Sequence, residues 1–212
     1  MKKSILSILI LMFGLLQISN AQLLKDFGLK AAVTSANQEF EFKSVSSFDT
    51  QRRVGVNLAL FAEWLDVPYI SLVTQVEYAQ RGFGVDMVYT GPYGPEPLST
   101  KTFYSRVDYL SIPVLAKLRL QTGAVAPYFL AGPRGAFLLG YKSDGSLFDE
   151  IYDKFKKATL GGTAGFGVQV ESVLPVTLLA EARYNFDFGN AYDTHLMSVR
   201  NSAFDFWLGV AF

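Results

Sequence analysis

The feature that most constrains this chain is a two-residue alternation of apolar and polar side chains, repeated through the sequence and carried to its last residue. In the final stretch Phe204, Phe206, Leu208, Val210 and Phe212 share one parity. Ala203, Asp205, Trp207, Gly209 and Ala211 share the other. Side chains alternate faces along a strand, so this is a ribbon with one large apolar face and one mostly small or polar face. Beyond Leu16 no long apolar run occurs. Membrane residence of the remaining chain therefore requires strands rather than helices.

Eight such segments are legible, at about 27–35, 52–65, 70–82, 104–120, 127–140, 159–172, 176–189 and 198–212. The connections after the second, fourth and sixth are short, whereas those at 36–51, 83–103, 141–158 and 190–197 are longer. Alternating short and long connections, with both chain ends on the short side, predict an all-β fold. It is an eight-stranded antiparallel up-and-down transmembrane β-barrel with short periplasmic turns and longer external loops.

A soluble sandwich also gives alternating strands, but its apolar face points into a core. In a small membrane barrel the pattern is inverted, with an apolar outside and a narrow interior filled by side chains. Here the apolar parity is free of charge through the middle of every segment; Arg52, Arg106, Asp108 and Arg200 share it only toward external ends. The opposite parity carries Glu63, Glu77, Glu171, Glu181, Asp187 and Asp205 against Arg81, Lys117, Arg119, Arg134 and Arg183. Such a nearly balanced set predicts mutual pairing in a closed lumen, because an unpaired buried charge is costly.

At the N-terminus Lys2 and Lys3 precede the apolar run from Ile5 to Leu16, followed by small residues at Ser19 and Ala21. This is the pattern of a secretory signal peptide over 1–21, leaving a barrel domain over 22–212. The absence of cysteine excludes disulfides. A formal net charge of +0, with no basic stretch beyond Lys154, Lys156 and Lys157, argues against a nucleic-acid partner.

Trp64, Tyr69 and Tyr128 fall near the expected periplasmic ends, and Tyr78 and Tyr184 near the outer girdle. Pro113 and Pro133 fall inside the fourth and fifth segments. Each removes a ladder donor where a closed barrel has no edge, which predicts a bulge or a missing hydrogen bond at each.

The stretch Tyr109-Leu110-Ser111-Ile112-Pro113-Val114-Leu115-Ala116-Lys117-Leu118, followed by Pro127-Tyr128-Phe129-Leu130-Ala131-Gly132-Pro133, resembles the PorT-like outer-membrane β-barrel family of Bacteroidetes. The resemblance implies an eight-stranded barrel, residence in outer-membrane lipid, and insertion by the outer-membrane assembly machinery. That machinery would read the terminal row Phe204, Phe206, Leu208, Val210 and Phe212 as an assembly signal.

For function, three readings stand. Glu63, Glu77, Lys117, Arg119, Arg134, Glu171, Glu181, Arg183 and Asp205 form either a plug of paired charges or the lining of a narrow pore. His195, the only histidine, lies in the last external loop near Asp193 and Ser198. Small barrel enzymes that act on lipids, such as the lipid A palmitoyltransferase, use histidine and serine near that face, but sequence nearness does not make a catalytic geometry. The external loops, among them 90–97 and a segment over 146–157 whose Leu147, Phe148, Ile151 and Phe155 fall at the spacing of a short amphipathic helix, are candidates for a surface partner. Asp149, Glu150 and Asp153 lack a calcium-loop spacing, and no phosphate loop, zinc pattern or nucleophile elbow is present. The expectation is a non-enzymatic barrel without cofactor or metal that works by structure or by surface contact.

Overall fold

A computed structural model describes residues 23–42, 50–65, 67–90, 97–120, 123–143, 152, 154–171, 176–194 and 197–212. The strands are β1 (Leu24–Phe42), β2 (Gln51–Trp64), β3 (Ile70–Thr90), β4 (Pro97–Arg119), β5 (Val125–Ser143), β6 (Ala158–Glu171), β7 (Thr177–Asp187), β8 (Tyr192–Asp193) and β9 (Met197–Ala211). Each of β1 to β7 pairs antiparallel with its sequence neighbour, β7 pairs with β9, and β9 returns to β1 from Gly28↔Ala211 to Phe42↔Met197. Eight strands thus close a ring. The two-residue β8 resumes the path of β7 beside β9, after β7 leaves the ladder at Phe186↔Ser202.

The wall is apolar outside and polar inside. Along β2, Leu58 and Leu60 are 58% and 60% exposed, while Asn57 and Glu63 on the opposite face are buried. The same inversion puts Phe206 and Leu208 outside and Asp205 and Trp207 inside on β9. A continuous apolar belt of this kind fits a lipid-facing surface, not a wet one.

Both prolines interrupt the ladder. Pro113 keeps its place opposite Arg134 on β5, but β3 and β4 lose pairing between Thr74↔Val114 and Glu77↔Ser111. Pro133 keeps its place opposite Gly162 on β6, whereas β4 and β5 lose pairing between Pro113↔Arg134 and Ala116↔Ala131. In each case the interrupted side is one neighbour only, as the loss of a single N–H donor requires. A third break separates Arg52↔Phe83 from Asn57↔Ala79, near Gly82 with its φ of 138°. Side chains substitute for the ladder there. Gln80 N donates to Asn57 Oδ1 at 2.9 Å, and Val56 N donates to Gln80 Oε1 at 3.3 Å.

Two expectations are corrected here. The connection placed at 83–103 is largely strand: β3 and β4 run on as a ribbon through Val85↔Phe103 to Thr90↔Pro97, and only 91–96 fall outside the described residues. The β-branched and aromatic residues beyond Gly84 continue the pairing. Tyr128, placed in an interfacial girdle by the sequence, is 1% exposed and points into the lumen. Its parity is opposite to that of lipid-facing Phe129. In the segment expected to be a helix, Leu147, Phe148 and Ile151 lie outside the described residues, as does the signal-peptide segment 1–21.

Candidate functional site

The lumen is organised in three polar layers under an aromatic cap. At the short-turn end Glu63 receives Lys117 Nζ at 2.8 Å, Lys25 Nζ at 3.4 Å and the Arg119 guanidinium. Arg119 Nη1 also donates to Val67 O and Pro68 O at 2.9 Å each, which ties the β2–β3 turn to the layer. Ser71 Oγ donates to Glu63 Oε1 at 2.8 Å.

In the middle layer Glu181 accepts from Lys30 Nζ at 2.6 Å and from Tyr128 Oη at 2.6 Å, and it pairs with Arg183. Arg183 Nη1 reaches Gln75 Oε1 at 2.8 Å and Glu77 Oε1 at 3.2 Å, with its guanidinium 5.2 Å from the Trp207 ring centre. In the layer above, Asp205 meets Arg81 Nη2 at 3.5 Å, Thr34 Oγ1 at 2.5 Å and Asn185 Nδ2 at 2.7 Å. Arg134 Nη2 donates to Asp187 Oδ1 at 2.6 Å, and Asn201 Nδ2 donates to Asp187 Oδ2 at 2.9 Å.

These contacts cross the barrel because the strands between the partners carry glycine on their inner face. Tyr128 and Glu181 both lie opposite Gly167 on β6, and a Cβ there would sit 2.7 Å from Tyr128 Cζ and 2.8 Å from Glu181 Cγ. Lys30 lies opposite Gly209 on β9, and a Cβ at Gly209 would sit 2.6 Å from Lys30 Cγ. The missing side chains are the space through which long charged side chains reach partners two strands away.

Of the nine residues singled out from the sequence, Glu63, Glu77, Lys117, Arg119, Arg134, Glu181, Arg183 and Asp205 are buried in these layers. Glu171 is not among them: it is exposed at the end of β6 opposite Thr177, and it joins no ion pair among the described residues. Its place beside the short turn puts it in water rather than in the lumen. Lys30 was missed because it sits in the segment with the weakest alternation. Arg81 and Asp187, placed on the inward parity by the sequence, complete the third layer.

Above the third layer the lumen ends in a cluster of Phe40, Phe83, Val107, Tyr109, Tyr152, Phe155, Ala191, Met197 and Val199. Tyr152 and Phe155 enter it from the β5–β6 connection. Tyr152 Oη donates to Gln38 Oε1 at 2.9 Å, its ring stacks on Tyr141 at 5.2 Å, and Lys156 N donates to Ala191 O at 2.9 Å. Lys154, Lys156 and Lys157 remain exposed around this cap. Asp193 and Ser198 face each other across β8 and β9, Asp193 exposed and Ser198 buried; His195 lies outside the described residues. No group of acidic or histidine side chains suited to a metal ion occurs among the described residues.

On the terminal row Phe204, Phe206, Leu208 and Phe212 are exposed on the outer wall and Val210 is half-buried. Phe212 N donates to Phe27 O at 2.8 Å and Phe27 N to Phe212 O at 3.4 Å, so the last residue closes the ring against β1.

The outer membrane protein AlkL, determined by solid-state NMR in DMPC lipid bilayers, superposes with a TM-score of 0.52 at 14% identity, covering 92% of each chain. Neisserial surface protein A gives 0.46 at 20% identity over 89% of this chain and 99% of that one. OprG from Pseudomonas aeruginosa gives 0.47 at 12% identity over 90% and 97%. At these identities the AlkL match is a likeness of fold, and no curated protein matches in sequence. The description "Outer membrane protein beta-barrel domain" matches residues 20–193, most of the chain. The chain belongs to the outer membrane protein β-barrel domain family and is a barrel of the cell outer membrane.

Proposed function

We propose that this protein is a closed, non-enzymatic outer-membrane scaffold that acts through surface contact at its external end, foremost through the β3–β4 ribbon. One observation carries the reading: the lumen is occupied by three layers of buried ion pairs and capped by Tyr152 and Phe155, which favours a plug over a pore. The ribbon is the complementary feature. From Val85 and Phe103 onward, β3 and β4 pair with each other beyond the last β2 partner, Gly84, and the last β5 partner, Ser105. Binding functions concentrate on such projections from a rigid frame.

The resemblance to PorT-like barrels of Bacteroidetes supports a place in that group, and the Lys2–Ala21 pattern supports export by a cleaved signal peptide. The terminal aromatic row supports recognition of β9 by the assembly machinery. The test combines two measurements on the full chain. Planar-bilayer recording is expected to give no steady conductance. Photo-crosslinkers placed at Tyr89 and Ser99 in cells are expected to trap a discrete surface partner, and crosslinkers at lipid-facing Leu60 are not. Steady conductance overturns the plug, and failure of the ribbon positions to trap anything beyond the Leu60 background overturns the contact role.

A further inference from the structure

At the long-connection end of the wall, the chain places two cations directly opposite each other on the outward face. Arg106 of β4 pairs in register with Lys142 of β5. Like charges at opposed positions repel. Asp108 engages Nη2 of Arg106 at 3.1 Å. No acidic partner for Lys142 occurs among the described residues, so the three groups retain one positive charge.

The opposition is built by an irregularity. The β4–β5 register shifts between Asp108↔Gly140 and Tyr109↔Leu138, leaving Leu139 as an extra residue. The shift turns Tyr141 inward onto Tyr152 and Lys142 outward beside Arg106. Immediately below the cations, Gly140 leaves open space, with nothing within 4 Å of where its Cβ would be. Below that, Leu139 and Phe137 are 58% and 46% exposed on the apolar belt. Cation pair, open notch and apolar wall follow one another in the order of an anionic headgroup, a glycerol backbone and an acyl chain.

We propose that Arg106 and Lys142 hold the phosphate of an anionic membrane lipid, its backbone over Gly140 and an acyl chain against Leu139 and Phe137. The occupant follows from position: the cations sit where the apolar belt ends, and the charge they leave uncompensated is the sign a lipid phosphate neutralises. The guanidinium offers paired donors to phosphate oxygens, and the ammonium adds a point charge.

The test uses the full barrel in phosphatidylcholine vesicles with spin-labelled phosphatidylglycerol or spin-labelled phosphatidylcholine as probe. The motionally restricted fraction should favour phosphatidylglycerol by about 5-fold at low salt. The preference should disappear in the Arg106→Gln/Lys142→Gln double variant and persist in Arg200→Gln, another exposed cation outside the pair. If the double variant fails to show heat-modifiable migration of a folded barrel, Lys142→Gln alone, at an exposed side chain, should still reduce the preference. No preference in the unaltered protein, an undiminished preference in the folded variant, or release of the label by millimolar inorganic phosphate, which marks a soluble-anion site instead, each overturns the proposal.

Discussion

Arg134 on β5 and Asp187 on β7 are bonded at 2.6 Å although β6 runs between them, because both lie opposite Gly161. A Cβ at that position would lie 2.2 Å from Phe186 O and 3.0 Å from Arg134 Nη2. The backbone carbonyl cannot give way without disturbing the β6–β7 ladder, and a larger side chain would also separate the ion pair. Gly161→Leu should therefore destabilise the barrel by about 3–5 kcal/mol, the range for breaking a buried pair. Gly135→Ala, where nothing lies within 4 Å, should stay within about 0.5 kcal/mol. Urea titrations of vesicle-refolded protein compare the two, and coincident midpoints would show that the crossing does not need the glycine.

Glu63 neutralises Lys117 and Arg119 together, both buried with it at the short-turn end. Replacing it by glutamine leaves two cations without a counter-charge, and about 3–5 kcal/mol of stability should be lost. Glu171→Gln provides the contrast, since Glu171 is exposed and should change stability by no more than about 0.5 kcal/mol. The same unfolding midpoints serve as readout. A Glu63→Gln midpoint close to that of Glu171→Gln would mean that water reaches this layer freely.

Much of this architecture is legible in the sequence, for a physical reason: a one-residue slip would turn every lumenal charge toward lipid, so parity is strongly specified. Alternation at Glu181, Arg183 and Asp187 against Ala182, Tyr184 and Phe186 gives both the strand and the inward face. Parity does not say which charges meet. Lys30 reaches Glu181 over Gly209, 151 residues apart in sequence, and that depends on register around the closed ring. The lumenal glycines at 161, 165 and 167 share parity with Thr163 and Gln169, and they were the readable sign of the crossing space over β6. The bulge at Leu139 was not readable, because a period-two pattern continues across it until Lys142 is found on the wrong face.

Phe155 anchors the β5–β6 connection in the aromatic cap, with its ring 4.8 Å from Tyr152 and 6.0 Å from Tyr192. Phe155→Ala removes the buried ring and should cost the cap about 3–5 kcal/mol while leaving the ion-paired layers below intact. Lys154 and Lys156 flank it and are exposed, so trypsin reports the change. Cleavage there should accelerate by about 10-fold or more in the variant, because local opening governs proteolysis. Planar-bilayer conductance should match that of the unaltered protein. Unchanged cleavage would mean that the segment is held from elsewhere.

Phe212 closes the ring at the seam between the first and last long strands, through two backbone hydrogen bonds with Phe27 and a ring contact at 6.0 Å. Deleting it removes both hydrogen bonds, at about 1 kcal/mol each, and an aromatic pair worth about 0.5–1.5 kcal/mol. Those losses fall at the one junction that no hairpin holds together, since β1 and β9 are joined only through the whole intervening chain. Single lumenal substitutions act on a ring that has already closed. Deletion of Phe212 should therefore reduce the surface level of folded protein more than Asp205→Asn or Glu77→Gln does, although each of these removes a buried charge. Surface labelling of intact cells, together with heat-modifiable migration of the membrane fraction, measures it. Equal levels of the deletion and the lumenal variants would mean that closure at Gly28↔Ala211 and above suffices, and that neither the seam contact nor the terminal aromatic limits assembly.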